Sequence, residues 1–186
     1  MNIKLIASLL SMETRKSKPA ITHRGAELSE DGKYRYVLWR TWGDGPRVMF
    51  VGLNPSTEDA TKDDPTIRRC INFAQREGFG GLYMVNLFAY RATSPKDMKQ
   101  AEDPTGNPEN IRWIRYILED VEKVIFAWGA YGVFMEWNEV RIIDLLENTK
   151  PMCFGKTSNG YPLHPLYLPN DAQLVPYFNE DIPELI

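Results

Sequence analysis

Arg47-Val48-Met49-Phe50-Val51-Gly52-Leu53-Asn54-Pro55 contains an apolar run, Val48 to Val51, that stops abruptly in Gly52-Leu53-Asn54-Pro55-Ser56-Thr57. A β-run ending in a Gly-x-Asn-Pro turn brings backbone N–H groups and an amide side chain to the carboxyl end of a sheet. Open α/β folds build their sites there. Two later segments repeat the pattern. Leu82 to Val85 runs into Asn86-Leu87-Phe88, and His164 sits in Tyr161-Pro162-Leu163-His164-Pro165-Leu166-Tyr167. Asn54, Asn86 and His164 are thus three polar tips, each following apolar sequence.

Composition narrows the class. The chain has 186 residues, 43% hydrophobic and 25% charged, enough for one domain with a full core. A formal net charge of -3 gives no global field that attracts polyanions, so any nucleic-acid contact must come from a local cluster. Cys70 and Cys153 are far apart and lack metal-ligand spacing. They read as reduced thiols of a cytoplasmic protein, and no metal or other cofactor is expected. Leu5 to Leu10 is too short for a secretory or membrane-spanning segment, so no membrane partner is expected.

The order of elements points to α/β. Residues 1–25 read as a peripheral segment and 26–186 as one domain. Ala26 to Leu28 and Tyr34 to Arg40 flank Ser29-Glu30-Asp31-Gly32-Lys33 as a hairpin. After the strand Val48 to Val51, a helix is expected from Pro65 to Glu77, ended by Gly78. Then come a strand Leu82 to Leu87, a polar loop Ser94 to Asn107, a helix Pro108 to Asp120, and a strand Val124 to Trp128. A helix through Leu146 and a strand Met152 to Phe154 precede a Pro-rich tail. Continuous apolar runs alternating with helices imply a sheet covered on both faces. The expected fold is a three-layer α/β/α domain with a mostly parallel central sheet and an edge hairpin near the N-terminus.

Each candidate has a plain alternative. Asn54-Pro55-Ser56-Thr57 suits a turn or cap, but Asn54 can also hold a water or a substrate group. Asparagine orients a nucleophile without deprotonating it, so basicity falls to Glu58, Asp59, Asp63 or Asp64; Asp64 is also a natural N-cap. His164, in a rigid turn between Leu163 and Pro165, suits a neutral, positioned N–H donor, whereas His23 lies in a polar stretch. Asn86 can satisfy loop backbone or pair in two directions with a nucleobase edge. Arg91, Arg68 and Arg69 are candidates for phosphate or carboxylate, and Gly129-Ala130 for anion approach at a helix start. The five tryptophans and Phe88, Tyr90, Tyr161 and Tyr167 read mostly as core or rim, with one or two able to stack on a base.

In order, these segments resemble the uracil-DNA glycosylase superfamily. Gly52-Leu53-Asn54-Pro55 is similar to its first motif, Asn86 through Arg91-Ala92-Thr93-Ser94-Pro95 to the strand-end Asn and following Arg-Pro-Pro of its thermostable branch, Trp128-Gly129-Ala130 to a Leu-Gly-Ala turn, and His164-Pro165-Leu166 to the closing His-Pro-Ser. More narrowly, Gly-Leu-Asn-Pro-Ser-Thr, Asp-Pro-Thr-Ile-Arg-Arg-Cys, Asn-Leu-Phe-Ala, Arg-Ala-Thr, Ala-Trp-Gly and His-Pro-Leu-Tyr resemble domain-of-unknown-function family 1643 of bacteria and phages. The superfamily resemblance implies cleavage of an N-glycosidic bond in DNA or a nucleotide, with Asn54 orienting water, Asn86 reading the base, and His164 donating to the departing base. Asp64 would support catalysis, and Gly52, Pro55, Ser56, Phe88, Arg68, Arg91, Gly129 and Tyr167 would bind the substrate.

The chain departs from that pattern in three places. It has two cysteines where the thermostable branch holds a cluster with four. Asp64-Pro65-Thr66-Ile67-Arg68 replaces a stacking aromatic, and Leu166 replaces a small residue. Ordinary uracil in duplex DNA is therefore not the expected substrate; a modified base or a free nucleotide is. A module that binds a modified base or nucleotide without cutting it, and a phosphoester hydrolase or acyl-transfer enzyme using Asp64 with the arginines, are the competing readings.

Overall fold

The structure, a computed structural model, describes residues 19–57, 62–130 and 136–178. Seven strands form one mixed sheet: β1 His23–Leu28, β2 Arg35–Thr41, β3 Arg47–Gly52, β4 Gly81–Asn86, β5 Lys123–Phe126, β6 Met152–Cys153 and β7 Val175–Pro176, in spatial order β1-β2-β4-β3-β5-β6-β7. Four α-helices lie among the described residues: α1 Pro65–Arg76, α2 Pro95–Lys99, α3 Glu109–Leu118 and α4 Glu136–Leu146. The protein is an α/β fold. None of its described helices is long and apolar enough to cross a membrane.

Parallel pairing is confined to the middle of the sheet. β3 pairs in parallel with β4 and β5, and β5 with β6. The pairings β1/β2, β2/β4 and β6/β7 are antiparallel. The sheet is therefore mixed rather than mostly parallel. The β1/β2 hairpin occupies one edge as expected, its turn fixed by Asp31, whose Oδ1 accepts from Ser29 Oγ at 2.7 Å and from the Lys33 N–H at 3.1 Å. At the other edge, β7 arises inside the Pro-rich tail, in two residues too few to leave a periodic signature.

The three central strands are buried on both faces because their side chains alternate between two cores. Val48, Phe50, Leu82, Met84 and Ile125 pack with Ile67, Cys70, Phe73 and Ala74 of α1. Met49, Val51, Val85, Val124 and Phe126 pack with Ile114 and Ile117 of α3 and Ile142 and Leu146 of α4. Helices thus cover both faces. Cys70 and Cys153 are free and buried, and burial pushes both thiols up, leaving them unreactive.

Most boundaries fall within a residue or two of the sequence reading. α1 begins with Pro65 at its first turn, and Asp64 caps it by accepting the Ile67 N–H at 2.8 Å. The stretch read as loop, 94–107, contains the short helix α2, capped by Ser94 accepting from the Asp97 N–H at 3.2 Å. His23, in the polar stretch before the hairpin, opens β1, which starts three residues earlier than Ala26. Residues 1–18 of the expected peripheral segment lie outside the described residues, as do Glu58 and Asp59.

The topology positions the site. Chain order runs β3, α1, β4, but β5 returns to the opposite side of β3. Neighbouring connections therefore diverge at the carboxyl end of β3, opening a crevice between the ends of β4, β3 and β5. Ligands of open α/β sheets bind at such switch points.

Candidate functional site

A cavity of about 510 Å³ opens at that crevice, within the size range of small-molecule sites. Gly52, Asn54 and Ser56 enter it from the end of β3, Asn86 from β4, and Trp128 and Gly129 from β5. Asp64 enters from the cap of α1, and His164 and Tyr167 from the tail. Eight of the sequence candidates therefore share one cavity: Gly52, Asn54, Ser56, Asp64, Asn86, Gly129, His164 and Tyr167.

Asn54 is held by its amide nitrogen. Nδ2 donates to the carbonyls of Ala92 at 2.9 Å and Pro55 at 3.2 Å. Two carbonyl partners identify that atom as nitrogen, which makes Oδ1 the remaining acceptor. Asn54 can accept a hydrogen bond from a water or a ligand N–H, and it cannot donate to one.

Asn86 is buried, and its Nδ2 finds no hydrogen-bond partner in the protein. Its backbone carbonyl accepts from Asn110 Nδ2 at 3.1 Å, which fixes the strand end. Room for the amide depends on Gly52: a methyl group built there would lie 2.8 Å from Asn86 Oδ1. A buried amide with an unpaired donor carries a desolvation penalty that a bound acceptor relieves.

His164 caps the short 3-10 turn Pro165–Tyr167, its Nδ1 accepting the Leu166 N–H at 3.3 Å. An acceptor Nδ1 leaves the proton on Nε2. Burial lowers the imidazole pKa, and the charge of Asp64 opposes that shift. Both observations favour a neutral ring that carries its proton on Nε2. Asp64 is committed locally: Oδ1 caps α1, and Oδ2 accepts from Ser56 Oγ at 3.0 Å. Asp64 therefore serves as the cap of α1 and also lines the cavity.

Other candidates fall elsewhere. Phe88 is fully buried in the core and Pro55 is buried outside the cavity lining, so neither meets a ligand. Arg68 is exposed and donates to the Asp63 carbonyl. Arg91 Nη1 and Nη2 donate at 2.8 Å to the carbonyls of Gly32 and Thr57, tying the hairpin turn to the loop after β3. Arg69 holds the tail through the carbonyls of Pro165 and Leu168 and the Asn170 side chain. These arginines are structural ties because loop carbonyls reach them first. Asp63 is not a solvated loop charge: it pairs with buried Arg40 at 2.6 Å.

Two cavity residues with unpartnered polar atoms carry no role in the sequence reading. Arg35, at the start of β2, is 3% exposed, and its Nε has no partner in the protein. Trp128 is buried with an unpartnered Nε1. The signal for Arg35 is its phase: it shares strand parity with Val37, so a charge stands where an apolar residue belongs. For Trp128 no signal separates a cavity wall from core.

A family model described as "Protein of unknown function (DUF1643)" matches residues 35–166. That span contains every residue lining the cavity except Tyr167. No curated protein and no solved structure matches the chain.

Proposed function

The chain belongs to the DUF1643 family, and on that premise we propose that it is a uracil-DNA-glycosylase-like hydrolase cleaving the N-glycosidic bond of a modified base in DNA or of a nucleotide. What carries this reading is the convergence of Asn54, Asn86 and His164 on one cavity of about 510 Å³. The base lies against Asn86, whose amide donates to and accepts from its edge. Asn54 Oδ1 accepts from a water and directs it at the anomeric carbon. As the carbon–nitrogen bond breaks, its electron pair passes to the base, and His164 Nε2–H donates to that developing anion. The Asp64 carboxylate takes the proton that the attacking water releases. Donors aimed at developing charge in a desolvated site supply most of such acceleration.

The commitment of both Asp64 oxygens to the cap and to Ser56 favours a second reading, a module that binds the same ligands without cutting them. Incubation with DNAs carrying uracil, hydroxymethylated or glycosylated bases, and with free nucleotides, separates the two. Free base from any of them supports cleavage. Saturable binding with intact ligand supports the module, and if neither is seen the pocket is not a base-recognition site.

A further inference from the structure

Arg35, which lines the cavity, and Arg40, which does not, make a contrast. Both are buried, and they lie five residues apart on β2. Arg40 is compensated: Nε pairs with Asp63 at 2.6 Å, and Nη1 donates to the carbonyls of Trp39 at 2.7 Å and Gly25 at 3.3 Å. Arg35 takes part in none of the ion pairs formed among the described residues, and its buried Nε has no acceptor. The carboxylate whose field reaches it, Asp64, has its oxygens occupied by the Ile67 N–H and Ser56 Oγ. Burial brings the guanidinium pKa down to about 10, so it remains a cation at neutral pH. Its backbone N–H donates to the Ala89 carbonyl at 2.9 Å, which seats Arg35 beside the segment following Asn86.

A ligand that fills the cavity displaces the water solvating this charge. Stranding a buried cation costs several kcal/mol, so a ligand must bring an acceptor of its own. Two buried donors of cavity-lining residues have no acceptor in the protein, Arg35 Nε and Asn86 Nδ2.

We propose that Arg35 and Asn86 form an oxyanion subsite at the β2/β4 side of the pocket, so that the ligand carries a phosphate or carboxylate there. This deepens the base-recognition reading, on which it rests for the ligand, but it does not require cleavage. Two sources supply that chemistry: the phosphate of a mononucleotide, or a carboxylate carried by the base. A base-borne carboxylate keeps the base against Asn86 as in the cleavage reading, whereas a phosphate takes the Asn86 donor and leaves the base to Asn54 and His164, at the β3 and tail side of the pocket.

The test measures binding of deoxynucleoside 5′-monophosphates, of a 5-carboxylated deoxynucleoside, and of the matching neutral nucleosides, with orthophosphate as competitor. One anionic class binds roughly 10- to 100-fold more tightly than its neutral counterpart, as charge-assisted hydrogen bonds do. Its identity names the source. Orthophosphate competes, Arg35→Met removes the preference, and Arg35→Lys retains part of it. If Arg35→Met fails to fold, orthophosphate competition and a higher wild-type Tm in phosphate than in chloride of equal ionic strength decide the matter. Equal binding of charged and neutral ligands, or no binding of any anion, overturns the subsite. Anion preference without base release leaves the subsite and sinks cleavage; equal release from a neutral nucleoside and its monophosphate does the reverse.

Discussion

Gly129 leaves space for His164 that a side chain would take: Gly129 has φ +76°, and a methyl group built on it would stand 3.1 Å from His164 Cβ. The turn after β5 therefore sets how deeply the imidazole seats. Gly129→Ala forces an L-residue into the left-handed region and pushes the ring outward. The expected cost is about 1–2 kcal/mol, or a Tm lower by roughly 2–8 °C. Thermal melting checks it, and ligand binding should weaken further than the melting loss accounts for.

The His164 ring state is directly observable. With its folded pKa below the ordinary 6.5, the neutral ring is favoured in the native protein. Its contribution to stability is complete above about pH 6.5 and is lost as pH falls through the lower native value. Activity should follow the same limb, since protonation also takes Nδ1 away from the Leu166 N–H. The chain has two histidines, so nitrogen NMR of histidine-labelled protein resolves them. An Nε2–H tautomer at neutral pH is expected, and His164→Gln should flatten the acid limb.

Two substitutions divide the roles of Asp64. Asparagine caps a helix about as well as aspartate, whereas alanine loses about 1 kcal/mol. Asp64→Asn should melt close to the wild type, and Asp64→Ala lower. If the carboxylate takes a proton from water, both variants lose base release alike. Activity that tracks melting temperature would assign Asp64 to the cap alone.

Arg69 is a positioning residue for the tail. It donates to the carbonyls of Pro165 and Leu168 while its guanidinium lies 4.7 Å from the Phe73 ring centre. Arg69→Met keeps much of the aliphatic packing but frees those carbonyls, at a cost of roughly 1–3 kcal/mol. Faster proteolysis between residues 164 and 174 and weaker ligand binding are expected. The histidine tautomer signal should broaden in the same variant, which a general loss of stability would not produce.

The site was largely legible because Asn54, Asn86 and His164 interrupt apolar sequence, and strand ends in an open α/β sheet converge. Burial and competition for acceptors were not legible. Phe88 reads as a stacking ring but belongs to the core, and Arg91 reads as an anion binder but meets the Gly32 and Thr57 carbonyls. Arg35 reads as an ordinary strand charge until the cavity shows that nothing pairs with it. The central strands could be found from their apolar runs, whereas Val175–Pro176 is too short to announce that the far edge turns antiparallel.

Hydrolysis at the shared pocket is tested most directly by the rate of free-base release in a single turnover, wild type against His164→Ala. Removing a donor aimed at a departing anion should slow that rate by roughly 100- to 1,000-fold, with substrate binding retained. Unchanged release after His164→Ala, or no free base from any modified DNA or nucleotide offered to the wild type, contradicts the account.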